Sequence, residues 1–184
     1  MHNSYLSSVI KQFEYYKSLG DKTIAILNYE ELKKEFITDS NSITIIVKHL
    51  VGNMLSRWTN FLVEDGEKSW RQRDLEFEDT YNSKTELLNA WEDGWACLFN
   101  ALHNLNESDL EKIIFIRNQG HTVTEAINRQ LAHYSYHIGQ IVFIGKLIKG
   151  TEWQSLSIPK GQSKDYNAEK FSKEKIKKHF TDDL

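Results

Sequence analysis

RQLAHYSYHIGQIVFIGKLI, residues 129–148, contains no proline and no acidic residue, and its first lysine is Lys146. Ile127, Leu131, Ile138, Ile141 and Val142 give this region an apolar sector, as a helix packed into a core requires. Each helical residue advances about 100°, so His133, His137 and Gln140 fall at roughly 40°, 80° and 20° from Arg129, on one face. A solvated face would carry lysine and glutamate, and none occurs between Glu125 and Lys146. The polar stripe therefore reads as the lining of a buried or half-buried pocket.

A second helix has the same oddity. Ser42 can cap a run through ITIIVKHLVGNMLSRWTNFLVE that ends near Asp65-Gly66. His49 sits among Ile45, Ile46, Val47, Leu50 and Val51, too apolar a neighbourhood for an outer face. Asn53, Ser56 and Asn60 lie within about 40° of its direction and Arg57 about 80° away. A buried polar group without a partner costs several kcal/mol, so this row should meet the other one. The simplest arrangement puts His49 opposite His133 and His137. Three neutral imidazoles could then bind one divalent metal, zinc or nickel, with a further position open to water or substrate. On residues alone, partly buried histidines hydrogen-bonded to backbone or water stand as the alternative.

Outward from these two segments the chain reads as mostly helical. A first helix is predicted from about Ser4 to Asn28, with Val9, Phe13, Tyr16, Leu19, Thr23 and Ile26 on one face and Gly20 as a weak point. Residues 66–82 are highly charged and read as a long crossing or a lid. Ser83 and Glu86 match a capping box for a third helix through LLNAWEDGWACLFNALHNL. Ile113 to Arg117 is short and β-branched, and Asn118-Gln119-Gly120 is turn material, so a small hairpin is expected. Thr122 and Glu125 open the last long helix, which should stop at Gly150. Residues 1–160 form one helical domain and 161–184 a charged tail, irregular or a short helix.

The 184 residues have a mass of 21.6 kDa, enough for one core without a disulfide or metal staple. Net charge is -3, which gives no steering towards nucleic acid. The lysines near Lys173–Lys178 are offset by Glu169, Glu174, Asp182 and Asp183, so a nucleic-acid tail is not expected either. A single cysteine, Cys97, suits a reducing cytoplasm. No signal peptide and no membrane span is expected.

Beyond these patterns, the chain is similar to the DinB-like superfamily. The resemblance lies in His49 within KHLVGNMLSRWTNFL and in AINRQLAHYSYHIGQIVFIGKL, over roughly residues 5–160. A bacterial branch of that superfamily resembles it more closely, through DGEK, RQRDLEFED, WEDGW, IR and AINRQLAHYSYHIGQ. The resemblance implies an all-α four-helix bundle, up-down-down-up, with a long crossover from helix two to helix three. It also implies a homodimer and a divalent metal on His49, His133 and His137. Some DinB-like proteins transfer small thiols such as bacillithiol or mycothiol onto electrophiles, so a metal-dependent thiol S-transferase is the leading expectation. A metal-dependent hydrolase and a structural or sensory metal-binding protein are the alternatives.

Around the histidines, Asn53, Arg129 and Gln140 are expected to orient the reacting group, with a buried hydrogen-bond network as the competing role. Arg57, Arg71 and Arg73 are the candidates for binding substrate. The two loop arginines could hold a carboxylate over the pocket mouth, and pairing of Arg73 with Glu76 or Glu78 is the bland alternative. Trp91, Trp95 and Phe99 read as core or dimer interface, Cys97 as a small buried apolar residue, and Gly139 as a point of close helix approach. His2, His103, His121 and His179 are expected to be solvated.

Overall fold

The computed structural model describes residues 4–38 and 40–183. Its elements are α1 (Ser4–Ala25), α2 (Tyr29–Leu32), α3 (Ile43–Trp58), α4 (Lys84–His103), β1 (Ile113–Ile116), β2 (Gln119–Thr122), α5 (Val123–Lys149) and α6 (Ser163–Phe171). The protein is thus mostly helical, with one antiparallel hairpin. Among the described residues no helix is long and apolar enough to cross a membrane. The four long helices share one core, α1 packing on α5 and α3 on α4, with α3 also meeting α5.

Aromatic rings fill the centre. Phe13, Trp91, Trp95 and Tyr134 are fully buried, with Phe13 and Tyr134 ring centres 5.8 Å apart and Trp91 and Trp95 5.5 Å apart. Truncating such a ring to alanine typically costs about 3–5 kcal/mol. Trp91 and Trp95 therefore belong to the core of a single chain, and Phe99 stacks on Trp95 at 5.7 Å. Cys97 is half-buried, 3.6 Å from Thr59 Oγ1.

The ends of the helices follow local chemistry. Ser42 Oγ accepts from Ile45 N, and Thr122 and Glu125 form the reciprocal box that opens α5. Ser83 Oγ accepts from Glu86 N, but the Glu86 carboxylate returns to Asn82 N, one residue before the cap. Gly150 ends α5 with φ 53°, a conformation that glycine adopts without steric cost.

Several expectations are corrected. The first helix stops at Ala25, because Asn28 caps the separate turn α2. Helix α3 stops at Trp58, seven residues before Asp65, where Thr59 becomes extended and Asn60 takes φ 49°. The hairpin turns at Arg117-Asn118, both with positive φ, which leaves Gln119 and Gly120 in β2. A Cβ on Gly139 would meet nothing within 4 Å, whereas one on Gly145 would fall 2.5 Å from Thr23 Cγ2. The close approach of α1 to α5 is therefore made at Gly145. His121 is half-buried, and His179 is half-buried against Ser8 Oγ at 3.1 Å. His103 is exposed, and His2 lies outside the described residues.

Candidate metal centre

His49 from α3 and His133 and His137 from α5 come together. Their Nε2 atoms face one another, with His133 Nε2 3.3 Å from His49 Nε2 and 3.1 Å from His137 Nε2. One ligand atom from each residue can be chosen so that all three lie within 4.8 Å of one another. His49 is buried and the other two are half-buried. Burial first, then the neighbouring charges of His137, His49 and two arginines, pushes the His133 pKa down to about 3. Burial likewise lowers that of His137, with His49 adding to it. Neutral imidazoles are the form that ligates metal.

The outer nitrogens fix which way the lone pairs point. His49 Nδ1 is 2.9 Å from Glu76 Oε2. Burial raises the Glu76 pKa, but hydrogen bonds from His49 and Arg71 outweigh it and leave it below the ordinary value. An ionised carboxylate only accepts, so Nδ1 carries the proton and Nε2 of neutral His49 has its lone pair free. On the other side His137 Nδ1 lies 2.7 Å from Gln140 Oε1, and Gln140 Nε2 donates to Tyr136 Oη at 3.1 Å. The Gln140 oxygen is thereby turned to accept from His137. Two lone pairs thus point at His133 Nε2, whose single proton can satisfy only one of them well. A divalent cation among the three nitrogens satisfies them all, and the donor set fits one.

The crossing segment between α3 and α4 completes this arrangement. Its Arg73–Phe77 turn packs along α3. Lys48 Nζ donates to the carbonyls of Leu75 and Glu78. Phe77 stacks on the His49 ring at 5.2 Å, and the Arg73 guanidinium sits over Phe77 at 5.3 Å. Gly52 makes room beneath: a Cβ there would collide with the Glu76 carboxylate.

A family model described as "Protein of unknown function (DUF1572)" matches residues 1–162. The chain belongs to that family. DUF1572 is DinB-like, in keeping with the resemblance in the histidine-bearing segments. The match ends one residue before α6 begins. No curated protein and no solved structure matches the chain.

In this DUF1572 protein a cavity of about 220 Å³ opens beside His49 and His133. A larger one, about 730 Å³, lies between the C-terminal segment and α1 and touches none of the three histidines. Asn53, Arg57, Arg71, Arg73 and Arg129 all line the smaller cavity. Asn53 Oδ1 accepts from Tyr134 Oη at 3.0 Å, which in turn accepts from Trp58 Nε1. Arg71 points inward and forks onto Glu76, its Nε at 2.7 Å and Nη2 at 2.9 Å. Glu76 thus pairs with Arg71, while Arg73 sits over Phe77. Gln140 is not among the lining residues. It stands behind His137, a positioning group.

The sequence placed Glu76 beside a loop arginine but not against His49, and it did not single out Arg117 or Gln130. Glu76 is the partner of His49, but it lies in an irregular segment where no period relates it to α3. Arg117, at the hairpin turn, also lines the cavity and donates to Glu67 Oε2 from Nε at 3.1 Å. Gln130, buried and lining the cavity, was detectable. At roughly 100° from Arg129 it lies beside the His137 direction.

Proposed function

We propose that His49, His133 and His137 hold one divalent ion, zinc or nickel, and that the protein is a metal-dependent transferase joining a low-molecular-weight thiol to an electrophile. The observation that carries the metal is the convergence of three Nε2 atoms, with the outer nitrogens of His49 and His137 taken by Glu76 and Gln140. Among the described residues no fourth histidine, cysteine or carboxylate joins the group, which favours a centre with an open position over a closed structural one. A bound divalent ion supplies Lewis acidity, which lowers the pKa of a thiol at that position. The chain's own contribution is to keep His133 and His137 neutral by burial, to aim the three imidazoles, and to place Asn53 and Arg129 along the adjoining cavity. The thiol as substrate class rests on the DinB-like family.

A metal hydrolase would need a protein base within reach of water. Glu76 is the carboxylate against the histidines, and its two oxygens are committed to His49 and Arg71. This reading is therefore the weaker one. Elemental analysis of purified protein should find close to one zinc or nickel per chain in the wild type and none in H49A/H133A/H137A. With glutathione or bacillithiol and a haloaromatic electrophile, the metal-loaded protein should form thioether faster than that triple variant. Equal rates would remove the transferase reading, and an equal metal content would remove the centre.

We also read the helices as up-down-down-up. Tyr5 Oη meets Thr124 and Asn128 at the beginnings of α1 and α5, and Thr23 meets Gly145 near their ends. Val51 with Gly94 and Thr59 with Cys97 align α3 and α4 in the same way. His49 with His137 and Trp58 with Tyr134 run α3 against α5. The homodimer expected from the sequence remains a proposal, and its surface moves off α4. Tyr136, Phe143 and Leu147, exposed by 62%, 61% and 49%, form one apolar stripe on α5. A cytoplasmic location, read from the single cysteine, accompanies this proposal.

A further inference from the structure

The cavity beside the histidines is lined by five arginines, Arg57, Arg71, Arg73, Arg117 and Arg129, and by no carboxylate. Glu67 and Glu76 pair with some of these arginines without lining the cavity. Glu67 Oε2 takes Arg57 Nη1, Arg57 Nη2 and Arg117 Nε, each at 3.1 Å, and Glu76 takes the fork of Arg71. Five guanidiniums face two carboxylates that pair with them and a third, Asp65, set further back near Arg57, which leaves an excess of positive charge around one small space. Arg73 and Arg129 have no carboxylate partner among the described residues. Like charges are gathered this way at a cost unless an anion joins them.

Two buried atoms point to the same conclusion. Arg57 is 7% exposed, and its Nε has no hydrogen-bond acceptor, although both Nη atoms are engaged. Gln130 is 3% exposed, and its Oε1 has no donor. Both residues line the cavity. A buried N–H and a buried carbonyl are rarely left unpaired in a folded protein. A ligand with an oxyanion and a nearby N–H or O–H would answer both. These guanidiniums already donate to the carboxylates of Glu67 and Glu76, and the planar fork of arginine matches such groups. At about 30 Å³ per water, about 220 Å³ holds roughly seven waters' worth of volume, room for a small organic acid.

We propose that this cavity binds the carboxylate of a small organic acid, held by Arg73, Arg129 and the Arg57 Nε–H, so that the rest of the molecule lies against His49 and His133. The carboxylate site stands on the arginines alone. Only the statement that the other end reaches a reactive centre rests on the proposed metal site. The substrate class then narrows to acids whose reacting group is a short distance from a carboxylate.

The test is calorimetric titration of the full-length protein with succinate in a buffer free of carboxylate and phosphate. Succinamide serves as the uncharged probe of the same shape. Wild type should bind succinate with Kd of about 1 mM or tighter, weaken with added salt, and ignore succinamide. Arg73 and Arg129 are exposed, so R73Q/R129Q should melt like wild type and bind succinate at least tenfold more weakly. H103A, at an exposed residue that does not line the cavity, should bind within twofold of wild type. Equal binding of succinate and succinamide, or equal binding by wild type and R73Q/R129Q, overturns the proposal. Binding lost in H133A and kept in R73Q/R129Q overturns it too, by assigning the acid to the histidine centre. Metal content is measured separately, so a failure of the metal reading leaves a positive succinate result standing.

Discussion

Glu76 joins the irregular crossing to the histidines through one carboxylate. It accepts hydrogen bonds from His49 Nδ1 and from both donors of the Arg71 fork. Glu76→Gln keeps the shape and removes the charge. Partners of this kind typically contribute 10–100-fold to metal affinity, so zinc affinity by chelator competition should fall by about that range; an affinity within twofold of wild type would show that Glu76 does not position His49. Glu76→Ala goes further, because it strands the buried Arg71 side chain. Breaking a buried pair costs about 3–5 kcal/mol, readable as a lower urea midpoint, with E76Q between the alanine variant and wild type. The histidines were legible in the sequence because a helical period fixes their angles, and an apolar neighbourhood marks His49 as buried. The pairing was not. A carboxylate was expected opposite a loop arginine, but only the turn at Arg73–Phe77 selects Arg71 and sends Arg73 onto Phe77.

Helix α5 carries two glycines with opposite expected behaviour. At Gly139 an added methyl meets nothing within 4 Å, so Gly139→Ala should stabilise by about 0.5–1 kcal/mol through helix propensity. At Gly145 the same methyl falls 2.5 Å from buried Thr23. Overpacking of about 1–3 kcal/mol should outweigh the propensity gain there. Paired thermal melts of the two variants check this, and equal shifts would contradict it. The hairpin is governed from outside itself. Asp65 accepts from the backbone N–H groups of Arg117 and Asn118, both at 2.8 Å, and from that of Glu67 at 2.7 Å. Burial raises the Asp65 pKa, and these three donors more than offset it, leaving the folded value below the ordinary 3.8. Its contribution is present above the unfolded value and is lost as pH falls through the folded one. Amide protection at Arg117 and Asn118 should therefore decline below about pH 3.8 in wild type and show no such step in D65N. The sequence signalled a hairpin but put its turn too late, since a clamp 52 residues away leaves no local trace. It also carried α3 too far, because NFLVE stays apolar and Phe61 is indeed buried. The stop comes from the backbone at Thr59 and Asn60.

Over the whole molecule the proposed centre ties α3 to α5, two helices whose histidines are 84 residues apart in sequence. A ligand that binds only the folded chain stabilises it by about 2.7 kcal/mol at a hundredfold excess over Kd. For a protein of this size that is roughly 5–10 °C in Tm. Zinc at such an excess should raise the melt of wild type by that amount and leave H133A unmoved; a wild-type melt indifferent to zinc, nickel and chelator would contradict the centre. The proposed self-association belongs to the same scale. Trp91 and Trp95 lie inside the core, so the proposed dimer rests on the exposed α5 stripe, and sedimentation should report a mass near twice 21.6 kDa. Phe143→Glu should reduce it to the single-chain value without changing the helical circular dichroism. The all-α class was legible throughout, since few breakers and well-marked caps define the long helices. The placement of the apolar stripe was not, because a helical period shows which residues share a face and not which face the core takes.

The room that Gly52 leaves for the Glu76 carboxylate has a consequence for how such a site is inherited. A side chain at position 52 would displace the acid at 76, so position 52 can change only where the acid has moved or gone. Among related chains, an alanine or larger residue at 52 should accompany loss of the acid at 76, whatever happens to the helix around it. A lineage that once filled position 52 could not regain the partner of its histidine by one substitution.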